Sequence, residues 1–272
     1  METYLITGAA SGIGRACALE LARRGQLRLG LVDRDREGVE SAAREARALG
    51  ATVSTFVVDL ADAEAVDQLA RDAEAQLGPI DVLFNNAGVA VIKPMALTGD
   101  DDWRWVFDIN LWAPIRLTRA LVPAMIERKR GHIVMTASLA GLIGAPSMVA
   151  YSTTKFALVG FSESLRLELA PHGIAITVIC PGYVKTGLHR ATRYDNPAFE
   201  RMLDAPPGWY GVPVERAARD IVDAIARRDP QLVLGIERVG WYLKRLAPRF
   251  SFALASRMAR WTNLLGASRG SR

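Results

Sequence analysis

Seven short apolar runs punctuate the first 235 residues: TYLITG, LRLGLVD, TVSTFVVD, DVLFNNAG, GHIVMTAS, IAITVICPG and QLVLGI. Between them lie longer segments rich in Ala, Leu, Arg and Glu. Strands that alternate with helix-length segments are joined by crossovers, and crossovers make a parallel sheet. The runs are apolar on both faces, as befits strands covered by helices above and below. That pattern constrains the chain to an α/β fold: a doubly wound parallel sheet of about seven strands. No repeat, linker or low-complexity block interrupts residues 1–235, so that span is expected to be one domain. Residues 236–272 are expected as a C-terminal helical extension.

Composition removes several functions. Two cysteines, Cys17 and Cys180, make no disulfide framework and fit small buried apolar residues in a reducing compartment such as the cytoplasm. No apolar run approaches the roughly 18 residues that span a bilayer. The opening METYLITG lacks the basic-then-apolar order of a secretion signal. The net charge of +5 comes from one end. Eight of the 34 Lys and Arg, and none of the 29 Asp and Glu, fall between Arg238 and Arg272; 26 basic groups face 29 acidic ones before it. A mildly acidic body argues against a nucleic-acid partner.

TGAASGIG, residues 7–14, sits between the first strand and a helix. Gly8, Gly12 and Gly14 allow a tight turn and close approach to a pyrophosphate, which the helix N-terminus attracts. Asp33 closes the second strand 19 residues after Gly14. A carboxylate there accepts from an adenosine ribose and repels a 2′-phosphate, favouring NAD(H) over NADP(H). Arg34 follows at once and offers a 2′-phosphate a cation. In YSTTK, Tyr151 and Lys155 are one helical turn apart and share a face. An ammonium beside the phenol is expected to draw its pKa below the usual ~10, giving a proton shuttle near neutral pH.

TGxxxGxG, then NNAG, then Ser with Tyr-x-x-x-Lys resembles the short-chain dehydrogenase/reductase family over roughly residues 1–235. The resemblance implies a Rossmann fold, hydride transfer on a nicotinamide cofactor, and dimers or tetramers. It implies a catalytic set of Asn110, Ser138, Tyr151 and Lys155, with Ser138 holding the substrate oxygen and Lys155 also bonding the nicotinamide ribose. The implied cofactor contacts begin with Gly8, Ser11, Gly12, Ile13 and Gly14 in the turn, then Asp33 and Arg34. They continue with Asp59 and Leu60, then Asn86, Ala87 and Gly88, with Asn85 structural. Tyr151 and Lys155 follow, and Pro181, Gly182, Val184 and Thr186 complete the set. Asp59 suits equally well a cap for the helix starting near Asp62. Asn110 resembles the family residue that holds a water relaying protons to the lysine. Pro114, four residues on, has no N–H for the carbonyl of residue 110, so a kinked helix there would leave it for water. Alternatively Pro114 marks a helix end and Asn110 caps it.

His132, His172 and His189 match no metal spacing, so no metal is expected. His132 and His172 read as structural, and His189 lies in the loop after Thr186. Cys180 has no assignable base and is not read as a nucleophile. The loop 139–148 carries no charge, and 188–212 reads as a lid rich in Pro, Gly and aromatics. Together they favour an apolar secondary alcohol or ketone of steroid, terpenoid, aromatic or long-chain type. In the extension, Phe250, Leu254, Met258, Trp261 and Leu265 form one helical stripe opposite Arg249, Ser256, Arg260 and Asn263. That composition suits peripheral membrane contact, and equally a helix packed on its own domain or a partner subunit. A rival of another class is a non-catalytic nucleotide sensor attached through this tail.

Overall fold

The computed structural model describes residues 1–195, 211–236 and 238–267, with the backbone alone at 189–190, 258–259 and 261–267. Residues 196–210 of the expected lid lie outside the described residues, as do the side chains of His189, Met258, Trp261, Asn263 and Leu265.

The main sheet contains β1 (Thr3–Thr7), β2 (Arg28–Asp33), β3 (Thr52–Val57), β4 (Val82–Asn85), β6 (Gly131–Thr136), β7 (Ile174–Pro181) and β9 (Gln231–Leu234). Its order is β3-β2-β1-β4-β6-β7-β9, all parallel, as the alternation of runs required. Side chains alternate across the sheet: Tyr4 and Ile6 of β1 join the core on one face, and Leu5 joins the other. The first face is covered by α1 (Gly12–Arg24), α2 (Arg36–Ala48) and α7 (Val214–Arg227). The second is covered by α3 (Ala63–Leu77), α5 (Ala113–Arg128) and α6 (Val149–Leu169). Helix α4 (Asp100–Phe107) precedes α5. The chain winds outward from β1 to β3, then crosses back to β4 on the other side of β1. That reversal opens a crevice at the C-terminal strand ends, where such sheets bind ligands.

Periodicity did not anticipate β5 (Ala90–Ile92) and β8 (Thr192–Tyr194), which form a separate parallel pair. Each is three residues long, too short to leave a pattern. The extension forms α8 (Arg238–Leu246) and α9 (Pro248–Ala267).

His132 is buried in β6, and its Nε2 lies 2.9 Å from the Thr177 hydroxyl. That hydroxyl donates its proton to the Asp229 carbonyl at 2.7 Å, so Nε2 must carry the hydrogen, in a neutral ring. Burial holds the imidazole pKa down to about 4. Between pH 6.5 and 4 the unfolded chain binds a proton here that the folded chain refuses, so stability falls as pH drops through that window. The expected loss is on the order of 3 kcal/mol. Urea denaturation at pH 7 and pH 4.5 checks it: His132→Gln should show a markedly smaller pH dependence than the unaltered chain.

Candidate active site

Glycines fix the first wall of the crevice by what they exclude. Gly8 has φ +68°, and a Cβ there would lie 2.8 Å from the Ala87 Cα. A Cβ on Gly14 would land on the Gly8 carbonyl, so the first turn of α1 can press against the strand end only as glycine. Ser11 caps α1 without a side-chain bond, and no acid occupies its first turn, whereas α2 and α3 each have a capping Asp and an acid there. The start of α1 is thus left fit for an anion. The Asp33 carboxylate reaches back to this turn, accepting from Ala10 N at 3.0 Å and Asp35 N at 3.1 Å. Two bonds leave lone pairs for further donors.

Gly8, Ser11, Gly12, Ile13, Asp33 and Arg34 line one cleft, joined by Asp59, Leu60, Asn86, Ala87 and Gly88. Gly14 supports the cleft from behind. Asp59 does not cap α3: Asp62 does, accepting from Glu64 N and Ala65 N, while Asp59 holds the preceding turn through Ala61 N. Asn85 is buried, with its amide near Thr118 and Met135. Asn86 also braces the site. It donates to the carbonyls of Thr7 and Gly8 and accepts from Thr136, tying the ends of β1, β4 and β6 together. The Thr7 hydroxyl completes this brace by accepting from both Asn86 N and Ala87 N at 3.0 Å. Sequence reading passed over Thr7 and Thr136, although both stand inside or beside the quoted motifs.

Tyr151 and Lys155 face the same cleft from the first turns of α6, and both are buried. The Lys155 ammonium lies 5.7 Å from the centre of the Tyr151 ring and donates to the Thr136 carbonyl at 2.9 Å. Their effect on each other corrects the sequence expectation. Burial dominates and raises the Tyr151 pKa above its ordinary value; a hydrogen bond with Ser138 is what opposes the rise. Lys155 is itself pushed down to about 8 by burial. A charge placed over the ring face and spent on a carbonyl stabilises the phenolate little, whereas loss of water costs both charged forms. Ser138 lies two residues beyond β6. Its oxygen accepts from Ala140 N at 3.1 Å and donates to the Pro181 carbonyl at 3.4 Å, bridging two walls of the cleft.

Asn110 belongs to a wide π turn, Asp108–Trp112, where Ala113 N bonds Asp108 O. Helix continues on both sides of the turn, so Pro114 does not end it, and the capping alternative falls. The Asn110 side chain is wholly buried. It clamps Val89 through both N and O at 2.9 Å and donates to Thr154 Oγ1 at 3.2 Å. Thr154 in turn donates to the Tyr151 carbonyl at 2.7 Å. With the amide so engaged, the backbone carbonyl is what Asn110 can offer a water. It does not line the cleft; it holds Val89, which does.

Pro181, Gly182, Val184 and Thr186 form the opposite wall, and apolar Val89, Ile109, Leu188 and Ala191 line the cleft with them. Cys180 is buried, its thiol pushed up to about 11 by desolvation, which suits packing and not attack. Among the described residues no cluster of His, Cys, Asp and Glu is fit to hold a metal. Behind the β5–β8 pair, Asp102 is 6% exposed and accepts from Lys93 at 2.7 Å and Arg193 at 3.1 Å. Arg193 also covers the Trp105 ring at 4.1 Å. This ion cluster, built on a buried carboxylate with partly exposed cations, fastens the segment after Thr186 to α4, and no local signal announced it.

A family model described as short chain dehydrogenase matches residues 2–197. The chain is 40% identical over 189 residues to estradiol 17-beta-dehydrogenase 11 of Pongo abelii; the match covers 68% of this chain and 63%, less than two thirds, of that relative. It is 36% identical over 265 residues to dehydrogenase/reductase SDR family member 7B of Bos taurus, covering 94% and 81%. A short-chain dehydrogenase/reductase from Burkholderia phymatum, solved with NAD, superposes with a TM-score of 0.79 at 32% identity, over 85% of this chain and 88% of that one. One from Sphingobium yanoikuyae, solved with NADPH, gives 0.77 at 26% identity over 99% and 94%. Fold, cleft and matches together define the class, the doubly wound α/β proteins with a glycine-lined crevice at the strand ends. Within it, the chain belongs to the short chain dehydrogenase family.

Proposed function

We propose that the protein transfers a hydride between NAD(H) and an apolar secondary alcohol or its ketone, of steroid, terpenoid, aromatic or long-chain type. The observation that carries this reading is the meeting of Tyr151, Lys155 and Ser138 with the glycine turn and Asp33 in one cleft. The glycine cradle, the start of α1 and the Asp33 lone pairs fit a dinucleotide. When bound, the nicotinamide supplies or accepts the hydride at C4. Tyr151 exchanges a proton with the substrate oxygen from its hydroxyl. Ser138 bonds the same oxygen and orients it toward the phenol. Lys155, a buried ammonium with donors beyond the one given to Thr136, holds the nicotinamide ribose hydroxyls. The Asn110 carbonyl holds a water that returns protons to Lys155.

Asp33 supports NAD(H), because its carboxylate stands where a 2′-phosphate would be repelled. Arg34, exposed beside it in the same cleft, supports the second reading, NADP(H). Asp33→Asn is expected to raise the ratio of kcat/KM for NADP(H) over NAD(H) roughly tenfold or more, by removing like-charge repulsion. An unaltered enzyme already faster with NADP(H), and unmoved by the substitution, would give the site to Arg34. The apolar lining and uncharged 139–148 loop support the substrate class, as does a relative named for estradiol. A panel of apolar alcohols and polyols followed at 340 nm tests it, and faster turnover of polyols would reject it. We assign residues 1–235 to the dehydrogenase domain, with 188–212 as its lid and 236–272 as an extension. In this reading the protein works in the cytoplasm as a homodimer or homotetramer.

A further inference from the structure

The extension has two faces, and only one is spoken for. On the inner side of α8, Gly240 lies against Ile143, and Trp241 packs on the core cluster that includes Leu142. Lys244 donates to the Leu142 carbonyl at 2.7 Å and sits 5.0 Å over the Phe156 ring. These contacts seat α8 on the loop that follows Ser138. A helix so seated is expected to show solvent a polar side. Instead Val239, Tyr242 and Leu246, spaced i, i+3 and i+7, point outward, with Leu246 85% exposed. Phe250 and Leu254, one turn apart, continue the exposed apolar surface on α9, and Ile236 precedes it; Phe252 is also exposed but lies toward the Lys244 ammonium, its ring centre 6.0 Å away. Seven of the seventeen large apolar side chains exposed among the described residues therefore fall between 236 and 254.

We propose that this outer face docks onto the surface of an anionic lipid bilayer. Charge selects that occupant. Arg238, Arg245, Arg249, Arg257 and Arg260 are all exposed around the apolar side chains, and no acid occurs from 238 to 272. Aromatic and aliphatic anchors edged by cations match the acyl–headgroup boundary, where anionic lipids attract each Lys or Arg. A two-fold contact with a second copy would bring the same cations together. Among the described residues no helix is long and apolar enough to cross a membrane, so the face lies on the bilayer and not through it. Because α8 rests on the loop after Ser138, docking sets the substrate side of the cleft beside the bilayer, where apolar alcohols partition.

The test is sedimentation of the full chain with vesicles of phosphatidylcholine plus phosphatidylserine, and with phosphatidylcholine alone. The unaltered protein should sediment with the anionic vesicles, and at least about tenfold less with the neutral ones. Leu246→Glu/Phe250→Glu should weaken anionic binding at least about tenfold while solution turnover and particle mass stay unchanged. Should that variant fail to fold, Arg245→Glu/Arg249→Glu must give the same loss. Equal sedimentation of variant and parent overturns the proposal, as does absence of binding by the parent. A fall in particle mass without vesicles also overturns it, making the face an interface between copies. Vesicle sedimentation and particle mass decide the docking face without any turnover measurement, so the docking face and the redox reading stand or fall separately.

Discussion

Tyr151→Phe is expected to remove turnover while leaving the fold and dinucleotide binding in place. The substitution deletes one oxygen and no packing volume, and the ring remains buried at the start of α6. Positioned proton transfer contributes about 10²–10⁴-fold, so kcat should fall by that factor with either direction of reaction. Dinucleotide affinity, measured by nucleotide fluorescence, should move little, because the glycine turn, Asp33 and Lys155 are untouched. A non-catalytic nucleotide sensor would show no change in its own output on this substitution. Retained turnover in Tyr151→Phe would place the proton transfer elsewhere and remove the role proposed for α6.

Lys155→Met is expected to make the protein more stable and inactive. Burial lowers the Lys155 pKa from 10.5 to about 8, so the folded state holds its proton less firmly than the unfolded chain. Below pH 8 the residue is charged in both states and the fold bears the whole cost, on the order of 3 kcal/mol. Between pH 8 and 10.5 the unfolded chain binds more protons, so the cost fades and stability rises with pH. Methionine removes the cost but leaves the Thr136 carbonyl without its 2.9 Å donor, returning about 1 kcal/mol. The net gain at pH 7 is on the order of 2 kcal/mol, several degrees in Tm for a chain of this size. Melting curves at pH 7 and pH 10 should show the variant's advantage shrinking at the higher pH. A variant less stable than its parent at pH 7 would mean that the ammonium is fully satisfied by its surroundings.

The sheet was legible because its signal is local: each apolar run is complete within a few residues, and the connections between runs are helix-length. The cleft was legible for the same reason, since TGAASGIG, NNAG, YSTTK and PGYVKT each fall at a strand end or the helix beyond it. Pro114 likewise announced the irregular helix at Asn110. What escaped was whatever depends on distance along the chain. Asp102 meets Arg193 across 91 residues, and β5 meets β8 across a similar gap. The clamp of Asn110 on Val89 is equally silent in sequence. The direction of the Tyr151 shift failed for a related reason: spacing gives proximity, whereas burial comes from every element closing over the cleft, and here burial outweighs proximity.

The wide turn at Asp108–Trp112 adds roughly one residue to an otherwise regular rod. Each residue rotates an α-helix by about 100°, so this surplus sets the azimuth of everything downstream. Leu117, Leu121 and Met125, downstream of it, are buried in the core at this azimuth. Excising one residue from 108–112 would straighten the rod, swing those three away from their partners and withdraw the amide from Val89. The clamp on Val89 and the alignment of the core below it thereby hang on one surplus residue, and neither can be altered without the other.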